Sequence, residues 1–89
     1  MSEDPYGKLR EQLLQQDWPD VYLFKFIVSN KSELVAKVTR LFDEGVDLNY
    51  QPSKNGKYIS VSAKEVMLDV ESIINKYKKA TEIDGLVAL

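Results

Sequence analysis

The feature that most narrows what this chain can fold into is the dipeptide Asn55-Gly56, set between two segments of alternating polarity. Asn-Gly is favoured where both central residues of a tight turn need positive φ, so a two-residue type I′ loop pairing Lys54 with Lys57 is expected. Every other cross-strand pair then follows by counting. Val46, Leu48, Tyr50 and Pro52 fall on one face with Ile59, Val61 and Ala63. Asp47, Asn49, Gln51 and Ser53 fall on the other, opposite Lys64, Ser62, Ser60 and Tyr58. One face is apolar and one is polar, the consistency expected of a correct register.

The segments around this hairpin carry their own signals. Tyr6, Leu9 and Leu13 lie at helical spacing, so a short amphipathic helix is expected between Pro5 and Gln16. Trp18-Pro19 breaks it, because proline disfavours helix in the residue before it. Val21 to Val28 reads as a strand with Tyr22, Phe24, Phe26 and Val28 on one face and Val21, Leu23, Lys25 and Ile27 on the other. Apolar residues on both faces mark a central strand. Asn30 with Glu33 reads as an N-cap and its reciprocal partner, opening a helix whose stripe is Leu34, Val35, Val38, Leu41 and Phe42 and whose stop is Gly45. A second helix carries Val70, Ile73, Ile74 and Tyr77 and begins between Met67 and Val70. Lys76, Lys78 and Lys79 near its end suit a helix C-terminus. Ile83 to Leu89 reads as a final strand with a bulge at Gly85.

Strand, helix, hairpin, helix, strand is the split βαβ order. It predicts an α+β, ferredoxin-like βαββαβ two-layer sandwich: a four-stranded antiparallel sheet, two helices on one face, first and third strands in the centre. Pro52 then falls on an edge strand, where a residue without an N–H is tolerated. We expect residues 18–89 to form this single domain and residues 1–17 to be an N-terminal extension with a short helix. That helix is expected to cover Leu23 and Ile27 on the open sheet face through Leu9 and Leu13.

Composition excludes several kinds of chemistry. The 89 residues include no cysteine and no histidine, which removes thiol catalysis, thiolate metal sites and the commonest general base and metal ligand. A formal net charge of −2 offers no general attraction to phosphate backbones, so nucleic acid is disfavoured. No apolar run approaches the roughly 18 residues needed to cross a bilayer, and the N-terminus has no secretion-signal pattern. The reading is a cytoplasmic protein with no membrane partner, no cofactor, no metal and no enzymatic activity.

The segment Pro52-Ser53-Lys54-Asn55-Gly56-Lys57-Tyr58-Ile59-Ser60-Val61-Ser62 resembles the P-S-x-x-G-x-Y-x-S-V-S segment of the YbeD-like family of small uncharacterised bacterial proteins. Trp18-Pro19, Phe24-Lys25 and Glu33-Leu34-Val35 match upstream, and Val70-Glu71, Tyr77 and Ile83-Asp84 match downstream. The resemblance implies a ferredoxin-like fold similar to ACT-type regulatory domains, which bind amino acids or related effectors, commonly at subunit interfaces. It implies no known activity. The chain departs from the ligand-binding ACT pattern at Ser29-Asn30-Lys31, where a glycine is often found.

The candidate ligand-binding residues are those of the open, polar face: Lys25, Asn49, Gln51, Tyr58, Ser60 and Ser62, with Asp47 and Lys64 beside them as a cross-strand charge pair. Hydroxyl, amide and amine groups in rows can orient a small polar effector. They equally describe a solvated sheet face. Two roles follow, a regulatory effector-binding module and a structural adaptor that pairs with itself or a protein partner through a sheet edge. RNA binding ranks below both, since Tyr58 is followed on its face by Ser60 and Ser62 rather than by base-stacking aromatics.

Overall fold

In the computed structural model, residues 4–89 are described. The elements are α1 (Gly7–Leu14), β1 (Asp20–Ser29), α2 (Ser32–Thr39), β2 (Asp47–Pro52), β3 (Tyr58–Met67), α3 (Val70–Ala80) and β4 (Val87–Ala88). The strands form one antiparallel sheet in the order β2-β3-β1-β4. This is the α+β, ferredoxin-like arrangement expected from element order, with β1 and β3 central and Pro52 on an edge strand.

Alternation along the central strands decides where the core lies. Phe24, Phe26 and Val28 of β1 and Ile59, Val61, Ala63 and Met67 of β3 are buried beneath the helices, with Val38, Phe42, Ile73, Ile74 and Tyr77 packed on them. The Phe24 ring centroid lies 4.8 to 5.9 Å from those of Tyr22, Phe26, Phe42 and Tyr77, so one aromatic cluster ties the sheet to the helix layer. Burial pushes the Tyr77 phenol well above its ordinary value, reinforced by the 2.8 Å hydrogen bond between its hydroxyl and that of Tyr22.

The hairpin keeps the expected register but not the expected turn. Asp47 pairs with Lys64, Asn49 with Ser62 and Gln51 with Ser60. The loop, however, runs from Lys54 to Lys57, closed by Ser53 N–H to the Tyr58 carbonyl at 2.8 Å. Within it Gly56 N–H donates to the Ser53 carbonyl, and only Gly56 has positive φ, at 75°. Asn55 stays at negative φ because its Oδ1 accepts from Lys57 N–H and Ser53 Oγ, an arrangement the type I′ turn does not supply. Both loops join strands whose paired residue numbers share one sum, so the faces are unchanged.

Local chemistry also revises the helix ends. Asn30 is not the N-cap of α2; that position is Lys31, without a side-chain cap bond. Asn30 instead donates from Nδ2 to the Gly56 carbonyl, and its N–H donates to the Lys57 carbonyl, so it tethers the hairpin tip to the end of β1. Thr39 Oγ1 donates back to the Val35 carbonyl, and tighter turns through Leu41 and Phe42 replace the last stretch of expected helix. The α3 cap was hidden from pattern reading: Asp69 Oδ1 accepts from Ser72 N–H at 2.8 Å, and Ser72 Oγ donates to the Asp69 carbonyl at 2.8 Å. We expect Asp69→Ala to lower the unfolding free energy by about 1 kcal/mol in urea melts. An unchanged midpoint would refute that role for the cap.

Two further expectations are corrected. The final strand is only Val87–Ala88, because Ile83 is buried in the core and Gly85, at φ 72°, turns the chain before it can reach the sheet. Nor does α1 cover the open face. Leu13 is 2% exposed within the core, Trp18 Nε1 donates to its carbonyl at 2.8 Å, and the Arg10 guanidinium reaches Glu71 of α3. The helix thus joins the helix layer, because its apolar residues find the core beside α3. The Arg10 hydrogen bond holds the Glu71 carboxyl below its ordinary value.

Candidate functional site

With α1 on the helix side, the opposite sheet face stays open, and the ladders place its residues in rows. Val66 stands opposite Val21. Asp47, Lys64 and Leu23 share the next row, then Asn49, Ser62 and Lys25, then Gln51, Ser60, Ile27 and Val87, and last Tyr58 with Ser29. The sheet therefore divides along its length. The β2 and β3 side is mostly polar, and the β1 and β4 side carries Val21, Leu23, Ile27 and Val87. Of these, Val21, Leu23 and Val87 are more than half exposed.

A shallow depression of 460 Å³ opens on the polar side, lined by Leu23, Asp47, Leu48, Asn49, Ser62 and Lys64. Of the residues singled out from sequence, Asn49 and Ser62 line it. Lys25, Gln51, Ser60 and Tyr58 lie on the same face but outside it. Among the described residues, no side-chain hydrogen bond engages Asn49 or Ser62, and Asp47 and Lys64 are opposite one another without an ion pair. The ion pairs lie elsewhere, joining Arg10 to Asp4 and Glu71 and Lys76 to Glu65. The depression thus presents a carboxylate, an ammonium, an amide and a hydroxyl beside the apolar Leu23, with every polar group available to a ligand.

Cross-strand counting makes Asp47 and Lys64 a candidate charge pair on this face. Opposite positions on an edge strand do not ensure contact, because long exposed side chains gain little by being held together. Sequence reasoning gave no role on this face to Val66, although alternation continued past Lys64 would have placed it there.

A second depression, of 260 Å³, lies on the helix side between Leu41, Met67, Ser72, Asn75, Lys76 and Lys79. Of its two lysines, Lys76 has a structural role. Lys76 Nζ donates to the Leu41 carbonyl at 2.7 Å, lies 3.2 Å from Glu65 Oε1 and sits 4.8 Å from the Phe42 ring centroid. Among the described residues there is no group of three or more acidic, histidine or cysteine side chains arranged to hold a metal ion. No described helix is long and apolar enough to cross a membrane.

A family model described as "Protein of unknown function (DUF493)" matches residues 14–88, from the end of α1 through β4. The chain belongs to this family. No curated protein and no solved structure gave a match. Membership in DUF493 brings no activity with it, so function has to be argued from the surface just described.

Proposed function

We propose that this DUF493 protein is a cytoplasmic, non-enzymatic module of the YbeD-like, ACT-like kind, which binds a small zwitterionic effector in the depression between β2, β3 and β1. The observation that carries the reading is the pair Asp47 and Lys64. They flank the depression on neighbouring strands, unpaired with each other, with Asn49, Ser62 and Leu23 beside them. A carboxylate and an ammonium set this way complement a ligand carrying both an ammonium and a carboxylate, and Leu23 offers apolar surface to its side chain. The absence of histidine and cysteine from the sequence leaves no ordinary general base or thiol nucleophile for chemistry on such a ligand.

The test is a titration of the full chain with each of the common amino acids, read by amide chemical shifts. A binding ligand should shift Asp47 to Asn49 and Ser62 to Lys64 and raise Tm. Stabilisation should approach about 2.7 kcal/mol at a hundred times Kd. Lys64→Met should weaken that binding about tenfold while leaving the fold intact, in line with the loss of one charged hydrogen bond. Shifts absent at millimolar ligand for every amino acid would overturn the reading.

A further inference from the structure

The edge strand β2 is internal to the chain at both ends, entered through Gly45-Val46 and left through the hairpin, and β4 lies at the opposite edge of the sheet. Alternation sorts its backbone groups. Ser53 N–H donates to the Tyr58 carbonyl, so the odd-numbered groups of this strand aim at β3 and the even-numbered groups aim away from the sheet. Val46 N–H is turned back onto the Asp43 carbonyl at 3.2 Å, and Pro52 has no N–H. The outward donors that remain are those of Leu48 and Tyr50, placed symmetrically about Asn49. Between Asp47 and Pro52 the strand carries no charge and no break in register, so its middle lacks the devices that usually blunt a sheet edge.

The charges flanking the strand are opposite in sign. Asp43 and Glu44 precede it, Lys54 and Lys57 follow it around the hairpin tip, and all four are exposed with no ion-pair partner among the described residues. Antiparallel association of two such edges brings the acidic end of each to the basic end of the other. Parallel association would set like charges together.

We propose that the β2 edge joins a second copy of this chain, β2 pairing antiparallel with β2 about a two-fold axis through Asn49. Leu48 then stands opposite Tyr50 of the second copy, and Tyr50 opposite its Leu48. Two free donors from each copy meet two free carbonyls of the other, which makes four ladder hydrogen bonds. A shift of one pair toward the hairpin would set the Pro52 ring against Leu48, and a shift the other way would run the ladder into Val46, which lies outside the strand. The side chains agree with this register. On the helix side Leu48, packed against the core, lies beside the half-exposed Tyr50 ring of the other copy. On the open side Asn49 meets Asn49 and Asp47 meets Gln51, so no like charges face one another. At both ends the Lys54 and Lys57 ammoniums approach the Asp43 and Glu44 carboxylates. A two-fold contact needs a surface that complements itself, and this edge does so in its donors, its blocked ends and its charges, which makes the occupant a second copy rather than an unrelated peptide. Both helix layers fall on one side of the joined sheet, and the open face with its depression stays uncovered.

The test is sedimentation equilibrium of the ligand-free full chain over a concentration series, followed by isotope-filtered NMR on an equal mixture of labelled and unlabelled protein. The average mass should rise toward that of two chains with concentration, and the mixture should show a contact between Asn49 Hα of one copy and Asn49 Hα of the other. Tyr50→Pro removes an outward donor that makes no bond to β3 and should weaken association more than tenfold. Because proline there can also disturb the strand, the second variant is Lys54→Glu with Lys57→Glu, which changes only exposed side chains. It should weaken association about tenfold, and adding Asp43→Lys with Glu44→Lys should restore it. A chain that stays monomeric to millimolar concentration would overturn the proposal. So would a dimer whose intermolecular contacts lie away from β2, or full affinity in the Lys54→Glu, Lys57→Glu variant. Every readout is made without an amino acid, so this contact and the effector reading fail separately.

Discussion

Phe24→Ala is expected to lower the unfolding free energy by about 3–5 kcal/mol, a large share of the roughly 5–15 kcal/mol by which domains are ordinarily stable. Phe24 is fully buried, and its ring meets those of Tyr22, Phe26, Phe42 and Tyr77. Removing it takes away transfer energy and leaves a cavity bounded by stiff aromatic side chains on the central strand, where the sheet has little freedom to collapse inward. Urea unfolding followed by far-ultraviolet circular dichroism measures the effect. The adjacent Leu23→Ala makes the internal control, since Leu23 is 56% exposed on the other face and should change stability by less than about 0.5 kcal/mol. Equal losses at the two positions would mean that the face assignment of β1 is wrong.

Lys76→Met is expected to cost about 2–3 kcal/mol, although it replaces a charged side chain with an apolar one of similar length. The Lys76 and Glu65 side chains are only 15% and 16% exposed, and Glu65 Oε1 is buried without a hydrogen bond. The ammonium at 3.2 Å is the charge that compensates it, and the same ammonium satisfies the Leu41 carbonyl just past the end of α2. Without it a carboxylate stays in a poorly solvated site with nothing to balance it. The double variant Glu65→Leu with Lys76→Met should recover most of the loss, since a buried ion pair adds little over a well-packed apolar pair. A double-mutant cycle measures the coupling, and additive losses would show that the two side chains do not act as a unit.

The strand faces, the central and edge positions and the fold class were legible from residue order, because they depend on local rules with a period of two or 3.6 residues. The hairpin register survived even a wrong turn type. Asn55-Gly56 marked the midpoint of the reversal, and the shorter and longer loops around that midpoint give the same partners. Asn30 was misread for a related reason. Its side chain can cap a helix or bond any nearby carbonyl, and the Gly56 carbonyl that claimed it is 26 positions away in the chain.

The candidate site was legible by halves. Asn49 and Ser62 could be placed on one row by counting, but a row is not a cavity, and the depression formed one step further along, between Asp47, Lys64 and Leu23. Composition excluded thiol and histidine chemistry without any structure.

By itself, then, the order of residues determined which side chains share a face and which strands lie in the middle. Covalent geometry imposes alternation on a strand, and burial then selects the side that faces inward. Only the tertiary structure decided where α1 packs, how far β4 extends and which charges meet. Those outcomes are competitions between surfaces distant in sequence: Leu13 found the core rather than the open face, Ile83 was drawn into the core, leaving β4 short, and Lys76 rather than Lys64 acquired a carboxylate. The open depression is a consequence of those competitions.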